Sequence, residues 1–408
     1  MVRLLPEPGP SRILALSTLV NTVGRGTWLT ASALFLTRSV GLTVTQVGLG
    51  LTVTALVSLV ASTPMGYLAD RLGPRGLQIA ALVASAGCTA ALVAVRSFAG
   101  FLLVGVLMAV ADSATRGARG ALIAGAVPPD QRVRTRAYLR AVTNVGISVG
   151  AVLAGVGLAA DTRTGYVSLI LLDAASYLVA AAVLLRLPPV PPVPAPVHGP
   201  RLIALRDRPF LAFTVLDGLM SMHFGLLNIA LPLWIAGHTT APRWLISACL
   251  LVNTVMVVLF QVRASRGTED LAGAGRAARR AGVVIAVACA LFAASGDLPV
   301  VAAVPLLLGG ALVHVVGELW HAAAGWGISF GLAPAHAQGQ YQGAYGMGMQ
   351  LGSMVAPVVV TTLAIGWGVP GWLLLGALFL VLGLLVPPVV GWAARNRPSV
   401  PAEPVPVG

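Results

Sequence analysis

A chain of 408 residues that is 57% hydrophobic and 10% charged, with a mean hydropathy of +0.89, lacks the charge that coats a soluble globule, where about a quarter of residues are ionic. That composition excludes a water-soluble fold and reads as an integral membrane protein. The formal net charge of +13 comes wholly from arginine; because the arginines punctuate apolar runs instead of clustering on one polar face, nucleic acid is rejected as a partner.

The chain opens with a polar leader, residues 1–12, that has no small-residue cleavage site, so the first apolar run reads as a retained span. A helix needs about 20 apolar residues to cross hydrocarbon. On that ruler six segments fall at 13–36, 45–68, 76–96, 98–121, 136–160 and 165–186, and six more at 210–235, 243–262, 281–297, 300–323, 338–365 and 371–393. The runs lack strict alternation and outlast the roughly ten residues of a barrel strand, which excludes a β-barrel. Between the two sets lies LPPVPPVPAPVHGPRLIALRDRP, Leu187 to Pro209, whose prolines predict an extended, semi-rigid connector. The predicted fold is all-α and integral to the membrane, with an N-terminal six-helix bundle at 13–186, the linker at 187–209, a C-terminal six-helix bundle at 210–394 and a tail at 395–408. Cys88, Cys249 and Cys289 sit inside apolar runs without metal spacing and read as packed thiols.

Arginine placement sets the orientation. With a cytoplasmic N-terminus, that side holds Arg71, Arg75, Arg132, Arg134, Arg136, Arg201, Arg206, Arg208, Arg263, Arg266, Arg276, Arg279, Arg280, Arg395 and Arg397. The other side holds only Arg38, Arg96, Arg163 and Arg243. This asymmetry fits the positive-inside rule, and an even number of spans puts both termini in the cytoplasm.

The two sets of spans carry traces of a repeat. A shift of 206 residues lays Pro128 on Pro334, Gly146 on Gly352 and Asp112 on Glu318. Each acid is the one carboxylate of its span, and the repeat predicts related depths in related helices. Asp112, Arg116 and Arg119 share one helical face, as do His314, Glu318 and His321. Ionised groups facing lipid cost about 2.5–3.5 kcal/mol or more, so these stripes are expected to face the bundle interior or a wet cavity, with Arg119 reaching instead for cytoplasmic headgroups.

The stretch GYLADRLGPRG, Gly66 to Gly76, falls in the turn after the second span. It resembles the signature loop of the major facilitator superfamily, Gly-x-Leu-Ala-Asp-Arg-x-Gly-Arg-Arg/Lys. Gly66, Leu68, Ala69, Asp70, Arg71, Gly73 and Arg75 match in order; Pro74 departs, leaving the loop stiffer and one positive charge short. The resemblance implies two halves rocking about a central pocket, with this loop as a latch between them. Gly66 would let span 2 approach a neighbour closely, Asp70 would meet the positive end of span 11 near Ala337–Gly339, and Arg71 and Arg75 would grip cytoplasmic helix ends. A second copy, expected between spans 8 and 9, has decayed to VRASRGTEDLAGAGR. In span 5, NVGISVGAVLAGVG is similar to the glycine-rich exporter motif of the same superfamily at Gly146, Gly150 and Gly155, with Ala151 and Ala154 departing.

The family resemblance further implies that spans 1, 4, 7 and 10 line the cavity. Their polar residues are Asn21, Arg25, Asp112, Arg116, Asp217, His223, Asn228, His314 and Glu318, while Asp173 in span 6 stands outside and reads as a structural hydrogen-bond partner. Glu318 and Asp112 are the expected proton carriers, with Glu318 preferred because Arg116 should hold Asp112 ionised, and with His314 or His321 as relays. Arg25 is expected to pair alternately with a carboxylate or with cargo. Trp28, Phe224, Trp234, Trp320 and Trp326 offer aromatic walls for an amphipathic cargo or, for Trp28 and Trp234, anchors at the bilayer interface. The resulting expectation is a monomeric, proton-coupled exporter of small amphipathic molecules, drugs or secondary metabolites, in a bacterial plasma membrane. Its partners are cargo, protons and lipid, and no cofactor or metal is implied. The alternative is an importer or facilitator of a polar metabolite, sugar or organic anion. No nucleophile–base pair, metal cluster or phosphate loop suggests an enzyme, and no soluble sensing domain suggests a receptor.

Overall fold

Helix start signals are written clearly along the chain. In the computed structural model, which describes residues 6, 8–159, 161–194 and 201–396, Pro10 opens α1 (Pro10–Leu34) and a Thr43–Gln46 capping box opens α2 (Val44–Leu72). Gly73, at φ 91, breaks the chain before Pro74 starts α3 (Pro74–Ala91); that left-handed backbone suits glycine alone. Ser97 caps α4 (Phe98–Ala126), α5 spans Pro129–Ala159, and Thr162 caps α6 (Arg163–Leu184). In the second half Asp207 caps α7 (Arg208–Met220), which continues as α8 (Leu231–His238). After these come α9 (Trp244–Ala264), α10 (Leu271–Ala294), α11 (Val300–Leu332), α12 (Gln338–Thr361) and α13 (Val369–Arg395).

Eleven of the described rods are long and apolar enough to cross a membrane, the α7–α8 pair counting as one. The 25-residue α1 is too polar to join them on hydropathy. Its polar residues are turned inward: Ser17 donates to the Ala180 carbonyl at 2.9 Å and Thr27 to the Leu169 carbonyl at 3.2 Å. A span can carry such groups where neighbouring helices satisfy them.

The seventh span is not the plain helix expected at 210–235. Between α7 and α8 the backbone tightens to a 3-10 turn at Ser221–His223 and then loosens to a π turn at Leu226–Ala230. Irregular backbone at this depth is tolerated where it faces protein partners, and here the His223 carbonyl receives the His314 ring at 3.1 Å. The linker also departs from a fully extended strap, since Ile203–Leu205 forms a 3-10 turn. The arginine expected at 397 and most of the tail lie outside the described residues.

Helices pack mainly within two groups, α1–α6 and α7–α13, and the groups meet through α2, α4 and α5 against α12, α9 and α11. Small residues set the closest approaches. A Cβ on Gly146 or Gly150 would overlap Thr22 or the Val23 carbonyl of α1, and a Cβ on Gly26 would come within 3.0 Å of the Gly150 Cα from the other side. Gly155 is different: it is exposed and nothing lies within 4 Å, so the third glycine of the exporter-like stretch plays no part in this seam. Buried Ala154 takes the inward position beside it. Gly150→Val is therefore expected to destabilise the protein by the about 1–3 kcal/mol typical of overpacking, while Gly155→Val stays within about 0.5 kcal/mol; thermal unfolding of the purified variants checks both.

Candidate functional site

The turn between α2 and α3 lies against the start of α12. Asp70 accepts hydrogen bonds from the backbone amides of Gly339 at 2.6 Å and Gln340 at 2.9 Å. These amides are free donors at a helix N-terminus, where a carboxylate gains about 0.3–1 kcal/mol, and up to about 2 kcal/mol when partly buried. The approach is possible because Gly66 has no side chain: a Cβ there would overlap the Gly339 carbonyl, and a Cβ on Gly117 of α4 would come within 2.9 Å of the Gly66 Cα. Arg75 donates to the Leu184 and Leu185 carbonyls at 3.3 and 2.7 Å, closing the end of α6. Arg71 stays on its own helix, 5.2 Å over the Tyr67 ring. Beside this contact lies a cavity of about 490 Å³ lined by Asp70, Arg132, His336, Gln338 and the linker residues Val190–Val193.

Within the N-terminal group, Arg25 of α1 pairs with Asp112 of α4 at 3.4 Å. Arg116 is not the close partner expected for Asp112; its guanidinium donates to the hydroxyls of Ser58 and, at 3.0 Å, Ser113. One turn along α4, Arg119 does not reach for headgroups: its Nε is buried without a partner, and Arg136, Arg25 and Arg116 are its cationic neighbours. Asn21 is buried with its Nδ2 unpartnered. Asp173 is fully buried, yet neither carboxylate oxygen makes a hydrogen bond, so the structural-partner role expected for it is incorrect.

The C-terminal group holds a longer array. Glu318 of α11 accepts from Arg140 of α5 at 2.5 Å and from Asn253 of α9 at 2.7 Å. Three histidines follow. His314 Nε2 lies 3.1 Å from the His223 carbonyl and 3.2 Å from His223 Nδ1. A carbonyl only accepts, so His314 Nε2 carries the proton. His223 then donates from Nε2 to His321 Nδ1 at 3.0 Å, and His321 donates from Nε2 to Asp217 at 3.2 Å. All three rings thus point the same way, and His314 Nδ1 is left bare, 3.9 Å from Glu318. At Gly325 the absent side chain lets Tyr345 sit beside Asp217. His223, His314 and Glu318 offer atoms within 4.8 Å of one another, near enough to share a metal ion, but the two nitrogens of His223 serve two different histidines, which makes a line and not a common centre.

Asp112 and Glu318 have separate partners. Among the described residues no hydrogen bond or ion pair links them, and each belongs to its own array with its own arginine. Phe224 lies between His223, at 4.2 Å, and Arg140, at 5.4 Å. Asn228 is exposed and donates to the Phe224 carbonyl at 2.8 Å. Trp234 is neither a cavity wall nor an interfacial anchor: it is 2% exposed, stacks on His238 and donates to Ser295. Trp326 is buried in the core, and Trp320 and Trp28 pack against core clusters while partly buried. Arg140 and Asn253 were not singled out by sequence. Their signal was present all the same, as an arginine one turn beyond the Arg136 loop end and as an amide inside the apolar run CLLVNTVMVV.

Many long apolar helices, two packed groups and buried ionic arrays facing inward define a multi-pass membrane transporter. The profile of the Major Facilitator Superfamily matches residues 14–357, and the chain belongs to that family. A protein of Deinococcus radiodurans named "Putative sugar efflux transporter" is 31% identical over 281 residues, 64% of this chain and 71% of the relative. Among solved structures, the human organic anion transporter MFSD10 (TETRAN) is similar at a TM-score of 0.69 and 17% identity, covering 92% of this chain and 98% of that one. A bacterial homologue of the iron transporter ferroportin, in an outward-facing state, is similar at a TM-score of 0.69 and 15% identity, over 95% and 99% of the two chains. These likenesses establish the fold. Members of the family are transporters, not enzymes.

Neutralising one side of the Arg140–Glu318 pair leaves a charge buried alone, for which about 3–5 kcal/mol is typical. The arginine is 18% exposed and the glutamate 6%, so the low end applies. In unfolding measurements Arg140→Gln and Glu318→Gln are each expected to destabilise, and the double variant to recover part of the loss, with a coupling of about 1–3 kcal/mol.

Proposed function

We propose that the protein is a proton-coupled exporter working by alternating access in a bacterial plasma membrane, as a monomer with both termini cytoplasmic. The observation that carries this reading is Glu318. It is buried in the C-terminal group, yet its cation comes from α5 of the other group, and it heads a line of histidines. Movement of one half against the other would withdraw Arg140 from Glu318 and leave the carboxylate without its counter-ion.

The path then follows the ring polarity. A proton leaving Glu318 arrives on the bare Nδ1 of His314 after a small closure of the 3.9 Å gap. Transfer of the Nε2 proton of each ring to the next moves one proton on to Asp217. Because α11 runs toward the latch end and α7 starts there, the line leads from mid-membrane toward that end. With Asp70 engaged at α12 the halves are closed there, so Glu318 is supplied from the opposite side. Asp112, His314 and His321 keep roles in this reading, as partner of Arg25 and as relays; Gly66 and Asp70 form the latch, Gly73 and Arg75 hold its loop within the N-terminal half, and the grip on helix ends expected of Arg71 is replaced by its contact with Tyr67.

Cargo follows from what faces inward. The spans carry the polar groups Asn21, Arg25, Asp112, Arg116, Arg140, Asn253 and Glu318, of which Asn21 and Glu318 are buried, while Trp234 and Trp326 belong to the core. That balance favours a small polar, sugar-like cargo over the amphipathic one, in keeping with the name of the Deinococcus relative. A second reading, an anionic cargo, is favoured by Arg119 and Arg136, which make no ion pair among the described residues. Counterflow with glucose against glucuronate separates the two: faster exchange of glucuronate, lost in Arg119→Gln, selects the anion.

For the proton role, Glu318→Gln in proteoliposomes with an imposed pH gradient is expected to abolish uphill transport while sparing counterflow. Undiminished pH-driven accumulation would remove Glu318 from the coupling.

A further inference from the structure

We propose that Asp173 is a second proton-binding site, built into the N-terminal half and occupied in this conformation. Asp173 lies on α6 where that helix packs against α1. Its side chain is fully buried and both carboxylate oxygens lack hydrogen bonds. Oδ1 is aimed at α1, into space left by Gly24: a Cβ there would stand 2.8 Å from it. The nearest hydroxyl does not help, because Ser176 donates to the backbone carbonyl of Asp173 at 2.8 Å. Asn21, one turn before Gly24 on the face bracketed by Ser17 and Thr27, is likewise buried with a free Nδ2.

The charged and titratable groups around Asp173 are Arg25 on α1, Asp112 on α4 and Tyr177 on α6. On α3, which packs against the same helix, no charged residue follows Arg75. Among the described residues the cation whose charge reaches Asp173 is Arg25, which is engaged with Asp112 at 3.4 Å, while Arg119 acts on the neighbouring Tyr177. An ionised carboxylate so placed is shut away from the surface with neither a protein donor nor a free counter-ion, and the neutral acid suits that setting. Arg25 is shared electrostatically by both acids. While it holds Asp112, Asp173 keeps its proton; when it turns to Asp173, the O–H bond breaks, the proton passes to water and the carboxylate takes the guanidinium. Every participant belongs to α1, α4 or α6, so the site does not depend on the role given to Glu318.

The test is infrared spectroscopy of the full-length protein in lipid nanodiscs, with the side-chain carboxyl of aspartate carbon-13 labelled. At neutral pH the wild type is expected to show the carbonyl stretch of a protonated aspartic acid. The band should survive Glu318→Gln, vanish in Asp173→Asn, and weaken in Asp112→Asn, which frees Arg25. Absence of the labelled band from the wild type overturns the proposal whatever the variants do. So does its persistence in Asp173→Asn, or a failure of that variant to fold, because asparagine copies the shape of the neutral acid. A band undiminished in Asp112→Asn refutes the exchange of Arg25. A sodium-dependent rise in thermal stability lost in Asp173→Asn would make this a metal-cation site instead.

Discussion

A charge placed in hydrocarbon must be matched from within the protein, because the desolvation of an unpaired ion exceeds what any single contact with lipid returns. That constraint organises the interior of this molecule. Two ion pairs within the spans dictate which helices must stay adjacent. Arg25 with Asp112 ties α1 to α4. Arg140 with Glu318 ties α5 to α11, and Asn253 adds α9. The first tie lies within one group of helices; the second joins the two groups.

The same constraint accounts for the broken seventh span. At the break between the 3-10 and π turns the His223 carbonyl accepts from His314, and that fixed acceptor decides which nitrogen of each histidine carries a proton. A backbone irregularity thus sets the direction of a side-chain array, a coupling that neither the histidines nor the turn would produce alone. Small residues make the rest possible: Gly325 opens room for Asp217 and Tyr345 to meet, as Gly66 does for α2 and α12.

Much of this was legible in the sequence. Span number, the Pro-rich division of the chain and the superfamily loop follow from composition and a short motif, because hydropathy and helix punctuation are local properties. The meeting of Asp70 with the start of α12 is implied by the superfamily resemblance of the loop, and the attraction of a carboxylate to a helix N-terminus supports it. What escaped was pairing. Arg116 sits four residues from Asp112 and looked like its partner, but Ser58 of α2 and Ser113 capture the guanidinium while Arg25 arrives from α1. Arg140 was passed over because a lone arginine near a span end resembles an orientation signal. Trp234 looked like an anchor by its depth, whereas stacking on His238 and packing against Trp372 bury it. Depth can be counted along a chain; azimuth and neighbours cannot.

The two carboxylates aligned by the internal repeat therefore occupy unequal positions. Asp112 has a cation from its own half, and a rigid movement of the halves leaves that pair intact. Glu318 borrows its cation across the divide, and the same movement separates them. In a rocking cycle only the second acid experiences the conformation directly as a change in electrostatic surroundings, since an ion pair at an effective dielectric of about 20 weakens several-fold when its separation grows by a few times its contact length. The latch contact at Asp70 and the pair at Glu318 both join the halves, one through a helix N-terminus and one through a guanidinium. Breaking the first moves α12, which carries Tyr345 beside Asp217 at the far end of the histidine line. Opening at the latch would thus disturb one end of the histidine line and withdrawal of α5 the other, so the proton path proposed above would answer to both movements.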